Sequence, residues 1–189
     1  MSVRDRRSRR SRRSQTGLFG AANAVVRFRA TLIGSAVVAG DYPQLLADRD
    51  VTIIRSGHNE LTRLRGWLDG WDGPVPTYRI ELVVRIGNYA SPYTATGPDM
   101  FEALVRLRRQ LEPDGLAVAV QGARRDTYPS GMARDMAGGM KVYLMHPGRA
   151  ARMEDLVETL EDALPDQLAT VGDQRAFVDE WIASQRPSG

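Results

Sequence analysis

The chain has 189 residues, 42% of them hydrophobic, with no cysteine and a formal net charge of +3. That is enough for one domain with a buried core; it excludes disulfides, thiolate catalysis and cysteine-held metals, and leaves the redox compartment open. The charge is uneven: residues 1–16 carry seven arginines against one aspartate, and residues 150–189 carry three arginines against nine acids.

Residues 1–16 are arginine- and serine-rich and too polar to bury anything, so they read as a disordered basic tail ahead of a single domain over 17–189. Such a tail has three meanings: a charge grip on nucleic acid or an acidic membrane, a contact with the acidic C-terminal region, or an over-extended reading frame. Any nucleic-acid role rests on this segment alone. Residues 6–40 contain no acid, which resembles a targeting segment in composition. Arg27 and Arg29 interrupt the apolar run, however, and speak against a twin-arginine signal and a transmembrane helix. The expected location is therefore cytoplasmic. Val26, Phe28, Ala30 and Leu32 alternate with Arg27, Arg29 and Thr31, the period of a half-buried strand, although a helix over 18–33 competes.

Ser56 then precedes a helical pattern with Leu61, Leu64 and Leu68 inward and Trp67 and Trp71 near its end, stopped by Gly70 and Gly73-Pro74. A strand follows, with Tyr78, Ile80, Leu82, Val84 and Ile86 on one face and Arg79, Glu81 and Arg85 on the other. Thr96-Gly97-Pro98-Asp99 opens a helix, with Pro98 suited to the first helical position and Phe101, Leu104, Leu107 and Leu111 as its buried stripe. Arg106, Arg108 and Arg109 fall in its last turns, where cations are favoured. Pro113-Asp114-Gly115 is a turn, and 116–120 and 140–145 read as short strands. Two acidic helices are expected to finish the chain. Met153, Leu156, Val157 and Leu160 line the first, and Phe177, Val178, Trp181 and Ile182 line the second, which Thr170 and Asp173 cap. Together these elements predict an α+β fold: a small mixed or antiparallel sheet with helices packed mainly on one face.

Catalytic signatures are missing from this pattern. His58 and His146 are far apart and have no partner at ligand spacing, so no metal or other cofactor is expected. Asp69-Gly70-Trp71-Asp72-Gly73 lacks the glutamate of a calcium loop, since the twelfth position is Ile80, and reads as a turn. There is no phosphate-binding glycine motif and no nucleophile elbow.

Residues 121–143 concentrate the remaining chemistry, and a loop of that length inside a domain is often functional. As an anion site, Arg124 and Arg125 would clamp a phosphate or carboxylate, with Arg134 beside them. Ser130 would open a short helix, Asp126 and Asp135 would orient arginines or serve as acid and base, Tyr128 would stack on a planar ligand, and Lys141, the only lysine, would add a point charge. The plainer reading has Ser130 as an N-cap and Gly138 as the helix stop, Met132, Met136 and Met140 plugging the core, and the arginines paired with Asp126 and Asp135. The functional expectation is a non-enzymatic accessory or binding protein that recognises a protein partner through this loop or the C-terminal helices. An enzyme or sensor for an anionic ligand at Arg124 and Arg125 is the alternative.

Overall fold

Side-chain alternation between two faces governs residues 44–97 in the computed structural model, which describes residues 42–86 and 88–185. The strands are β1 (Gln44–Arg55), β2 (His58–Asp72), β3 (Val75–Ile86) and β4 (Tyr89–Gly97), joined as an antiparallel meander. Ser56 and Gly57 both have positive φ, as a two-residue turn joining β1 to β2 requires. Val51, Ile53, Leu64, Ile80, Leu82, Val84 and Ala95 are buried on the inner face. Register shifts at Leu45/Ala47 and Leu68/Gly70 mark bulges that bend and twist the paired strands, and the sheet curls.

The outer face is a lattice of paired charges. Arg63 reaches Asp48 at 2.6 Å and Asp50 at 3.1 Å, while Arg79 reaches Glu81 at 2.7 Å and Asp69 at 2.8 Å and lies over the Trp67 ring. Arg63 holds the Asp48 carboxyl below its ordinary pKa. Half-exposed pairs of this kind add little stability, but they neutralise the face.

Helix α1 (Met100–Leu111) follows the sheet, and its N-cap Asp99 accepts the Glu102 N–H at 2.7 Å. The expected stripe is fully buried. Leu104, Leu107 and Leu111 share a cluster with the inner sheet face, and Phe101 and Val105 pack instead with Val142, Tyr128 and Val157. Full burial of each such side chain contributes about 1.5–3 kcal/mol. A 3-10 turn ending at Gly115 leads into β5 (Leu116–Val118), which pairs antiparallel with β1 and completes the order β4-β3-β2-β1-β5. A second antiparallel sheet has the order β6 (Thr127–Tyr128), β7 (Lys141–Leu144) and β8 (Leu156–Glu158). Helix α2 (Gly131–Ala137) lies between β6 and β7, and α3 (Val171–Ser184) follows the second sheet, capped by Thr170. The fold is α+β, with antiparallel sheets.

Several expectations are overturned. Residues 56–71 are not a helix but mostly β2: Leu64 is fully buried, and Leu61, which the helical pattern placed beside it, is 73% exposed. Asp69 and Asp72 belong to that strand, and the turn is at Gly73-Pro74. Pro98 precedes the Asp99 cap rather than occupying the first helical position. The first acidic helix is absent: Met153–Asp155 is a 3-10 turn and Leu156–Glu158 is β8. Met132 and Met136 do not plug the core, whereas Met140 does pack against it. The tail over 1–16, the alternation at 26–32 and the expected domain start at 17 lie outside the described residues.

Candidate functional site

Residues 121–143 form no continuous loop. They comprise a 3-10 turn at Gln121–Ala123, β6, α2 and the start of β7. The turn needs glycine at 122, because a Cβ there would come within 2.7 Å of Leu104 and Thr159 side-chain carbons.

The arginines of this stretch have internal partners or an aromatic neighbour. Arg124 grips Asp126 with two parallel bonds of 2.8 and 2.7 Å and donates to Gln121 Oε1 at 3.2 Å, so its fork is filled. Arg134 pairs with Asp99 at 2.9 Å, not with Asp135, and lies over the rings of Phe101 and Tyr128. Arg125 is exposed, its guanidinium 5.1 Å from the Phe177 ring centroid, and it has no ion pair among the described residues. Asp135 is likewise exposed without an ion pair among those residues. Tyr128 meets the Phe101 ring edge-on, and its hydroxyl accepts from Arg175 at 3.1 Å. Ser130 Oγ accepts the Ala133 N–H at 3.1 Å, as an N-cap should. Lys141 pairs with Glu158 across β7 and β8 at 2.6 Å. Thus Arg124 and Asp126 come together, Tyr128 and Arg134 come together, and Lys141 is engaged elsewhere.

Beneath this surface lies a polar hub that the sequence reading missed. Gln174 of α3 is buried, and its Nε2 donates to the carbonyls of Gly122, Arg124 and Thr127 at 3.0, 2.7 and 2.9 Å. Its Oε1 accepts from Arg108 Nη1 at 2.6 Å, and Arg108 Nη2 donates to the Ala169 carbonyl at 2.7 Å. Arg108 is only 3% exposed; burial pushes its pKa down to about 10, against the pull of Glu112, so it stays charged at neutral pH. The available signal was position: Arg108 lies four residues beyond Leu104 and three before Leu111, on the buried stripe itself.

His146 also has a neighbour that spacing concealed. Its Nε2 is 3.3 Å from Asp155, a buried carboxylate that Arg149 holds in two bonds of 2.8 and 2.6 Å. The Arg149 guanidinium and the Arg152 N–H bring that carboxyl down to about 2. Trp181 of α3 donates its indole N–H to the His146 carbonyl at 2.9 Å, which ties the 146–155 segment to the helix.

Where α3 passes β6 and β7, a shallow apolar cleft of about 240 Å³ opens between Tyr128, Tyr143, Met145, Val178, Trp181 and Ile182. On α2, which follows Ser130 at the cleft wall, Met132 is 70% and Met136 81% exposed. Among the described residues, no cluster of three His, Asp or Glu side chains could hold a metal ion, and no helix is long and apolar enough to cross a membrane. No family model matches the chain, and no curated protein matches its sequence.

Proposed function

We propose that the protein is a non-enzymatic, cytoplasmic accessory protein that recognises a protein partner through the face built from residues 121–143 and α3. One observation carries the reading: Arg124 and Arg134 are held by Asp126 and Asp99, while Met132 and Met136 stand in solvent on α2, the helix capped by Ser130 of the cleft wall. Flexible, polarisable methionine side chains in solvent suit protein recognition, and exposed apolar groups of this kind mark interaction sites. The reading takes the helices to lie mainly on one face of the five-stranded sheet, with the charge-paired face left to solvent.

The test compares the wild-type chain as bait with Met136→Glu/Ile182→Glu and with a control, Leu61→Glu, on the outer face of β2. A partner should be retained by wild type and by the control and lost from the double variant at an unchanged melting temperature. Equal retention by all three, or no specific partner for any, overturns the proposal.

Arg125 favours the second reading, an anionic ligand, because it is exposed and has no carboxylate within ion-pair distance among the described residues. On that reading Arg124→Ala and Arg125→Ala abolish phosphate or carboxylate binding with little loss of stability. A loss of stability without any change in binding would identify a purely internal role.

A further inference from the structure

The inner face of the five-stranded sheet changes character at the turn joining β1 and β2. Val51 and Ile53 are buried core residues, but the next position on the same face of β1 is Arg55. On β2 the inward series continues from Leu64 through Thr62 to Glu60 and His58. Charged side chains therefore stand where the core would otherwise extend. They rim a cavity of about 350 Å³ floored by Ile53, Val84 and Leu116.

Register fixes how these charges are spaced. Arg55 lies opposite His58, and Ile53 lies opposite Glu60, so Arg55 and Glu60 are diagonal neighbours on one face. Diagonal Cα atoms are about 7–8 Å apart, within reach of long side chains that attract one another. Yet Arg55 and Glu60 make no ion pair among the described residues, where arginines such as Arg63, Arg79 and Arg149 all find carboxylates. The nearby Asp114 carboxylate is taken by the Tyr93 hydroxyl at 2.7 Å. The cation and the anion stand unpaired, side by side at the rim of an apolar floor.

We propose that this cavity binds a free α-amino acid with an apolar side chain of about leucine size. The carboxylate meets the guanidinium of Arg55, and the ammonium meets the carboxylate of Glu60. The side chain covers Ile53, Val84 and Leu116. Both charges of the zwitterion thereby find a charge-assisted partner while the apolar group leaves water, which is the chemistry of a site with a few polar groups around an apolar floor. The volume is at the small end for ligand cavities, which are roughly 300–1,000 Å³, and suits an amino acid better than a nucleotide. The site shares no residue with the 121–143 face and stands or falls independently of it.

The experiment is calorimetric titration of the full chain with L-leucine, N-acetyl-L-leucine, L-leucinamide and glycine. Leucine should bind saturably in the millimolar range or tighter. Each of the other three, lacking one charge or the side chain, should bind about tenfold more weakly or worse. Arg55→Gln should weaken leucine binding and leave leucinamide unchanged, because the amide carries no carboxylate for Arg55 to recognise. Glu60→Gln should weaken leucine and leave N-acetyl-leucine unchanged. Both side chains are at the surface end of the hairpin, and thermal melts establish that the variants are folded. Absence of saturable leucine binding, equal affinity for all four compounds, or indifference to both substitutions would overturn the proposal.

Discussion

Gln174→Leu tests whether the buried amide holds the second half of the molecule together. The substitution keeps an apolar side chain of similar size on α3 but removes donors to the Gly122, Arg124 and Thr127 carbonyls and the acceptor for Arg108. Two of the severed groups keep a weaker contact: Gly122 O keeps Arg108 at 3.3 Å, and Arg124 O shares the Thr127 hydroxyl, at 3.3 Å, with Gln121 O at 2.7 Å. The Thr127 carbonyl and one Arg108 N–H are left in the interior without these bonds. Each orphaned buried group costs about 1–3 kcal/mol, so the expected loss is about 2–6 kcal/mol, a large share of a typical domain stability of about 5–15 kcal/mol. Urea unfolding should report that loss, with a melting temperature lower by roughly 10 °C. Arg108→Met with Gln174→Leu should cost clearly less than the sum of the single changes, since removing both partners leaves no unpaired charge. A Gln174→Leu loss below about 1 kcal/mol, or strict additivity in the cycle, would refute the argument.

Other expectations are simpler to state. Leu64→Ala should cost about 2–5 kcal/mol in chemical denaturation while Leu61→Ala stays within about 0.5 kcal/mol, and similar losses at both would restore the helical reading of β2. Asp155, ordinarily near 3.8, is held at about 2 in the folded state, so its contribution is complete above the unfolded value and is lost as pH falls from about 4 through 2. Stability of Asp155→Asn measured against pH should therefore fall less steeply than wild type over that window; parallel curves would contradict the assignment. Gly139→Ala should destabilise by more than about 1 kcal/mol in a thermal melt, since φ is positive and the new Cβ would meet Asp99 and the Phe101 N–H, whereas Gly131→Ala has open space and should be near neutral. If residues 1–16 bind nucleic acid, affinity should drop steeply with salt and vanish on their deletion; binding that survives deletion would locate it elsewhere.

Helix α1 was legible because its cap, its dipole charges and its stripe all agree, and β3 because its inward positions are uniformly apolar. In β2 the same kind of reasoning fails for identifiable reasons. Its inward position 66 is glycine, because Met100 packs there and a Cβ would approach the Met100 methyl at 2.8 Å. Its outward positions include Leu61 and Trp67, the latter covered by Arg79. Apolar residues at 61, 64, 68 and 71 then mimic a helical period, and the bulge at Leu68/Gly70 breaks what alternation remains. Residues 153–160 mislead similarly: their apolar residues have helical spacing, but Asp155 is drawn inward by Arg149 and the backbone turns at that point.

The candidate site shows a related division between chemistry that is local in sequence and chemistry that is not. Arg124 and Asp126 are two residues apart, so their pairing was readable. The partners of Arg134 and Arg108, Asp99 and Gln174, are 35 and 66 residues away and become neighbours only through the packing of α1, α2 and α3. Taking those long-range partners into account changes what the 121–143 stretch offers to solvent. Its density of arginine suggested an anion clamp, but two of its three guanidiniums are engaged from within, and the large apolar side chains it leaves exposed are Met132 and Met136 of α2. A surface of that composition gains most from covering apolar area, which is why the substitutions expected to matter for partner binding are at Met136 and Ile182 rather than at Arg124.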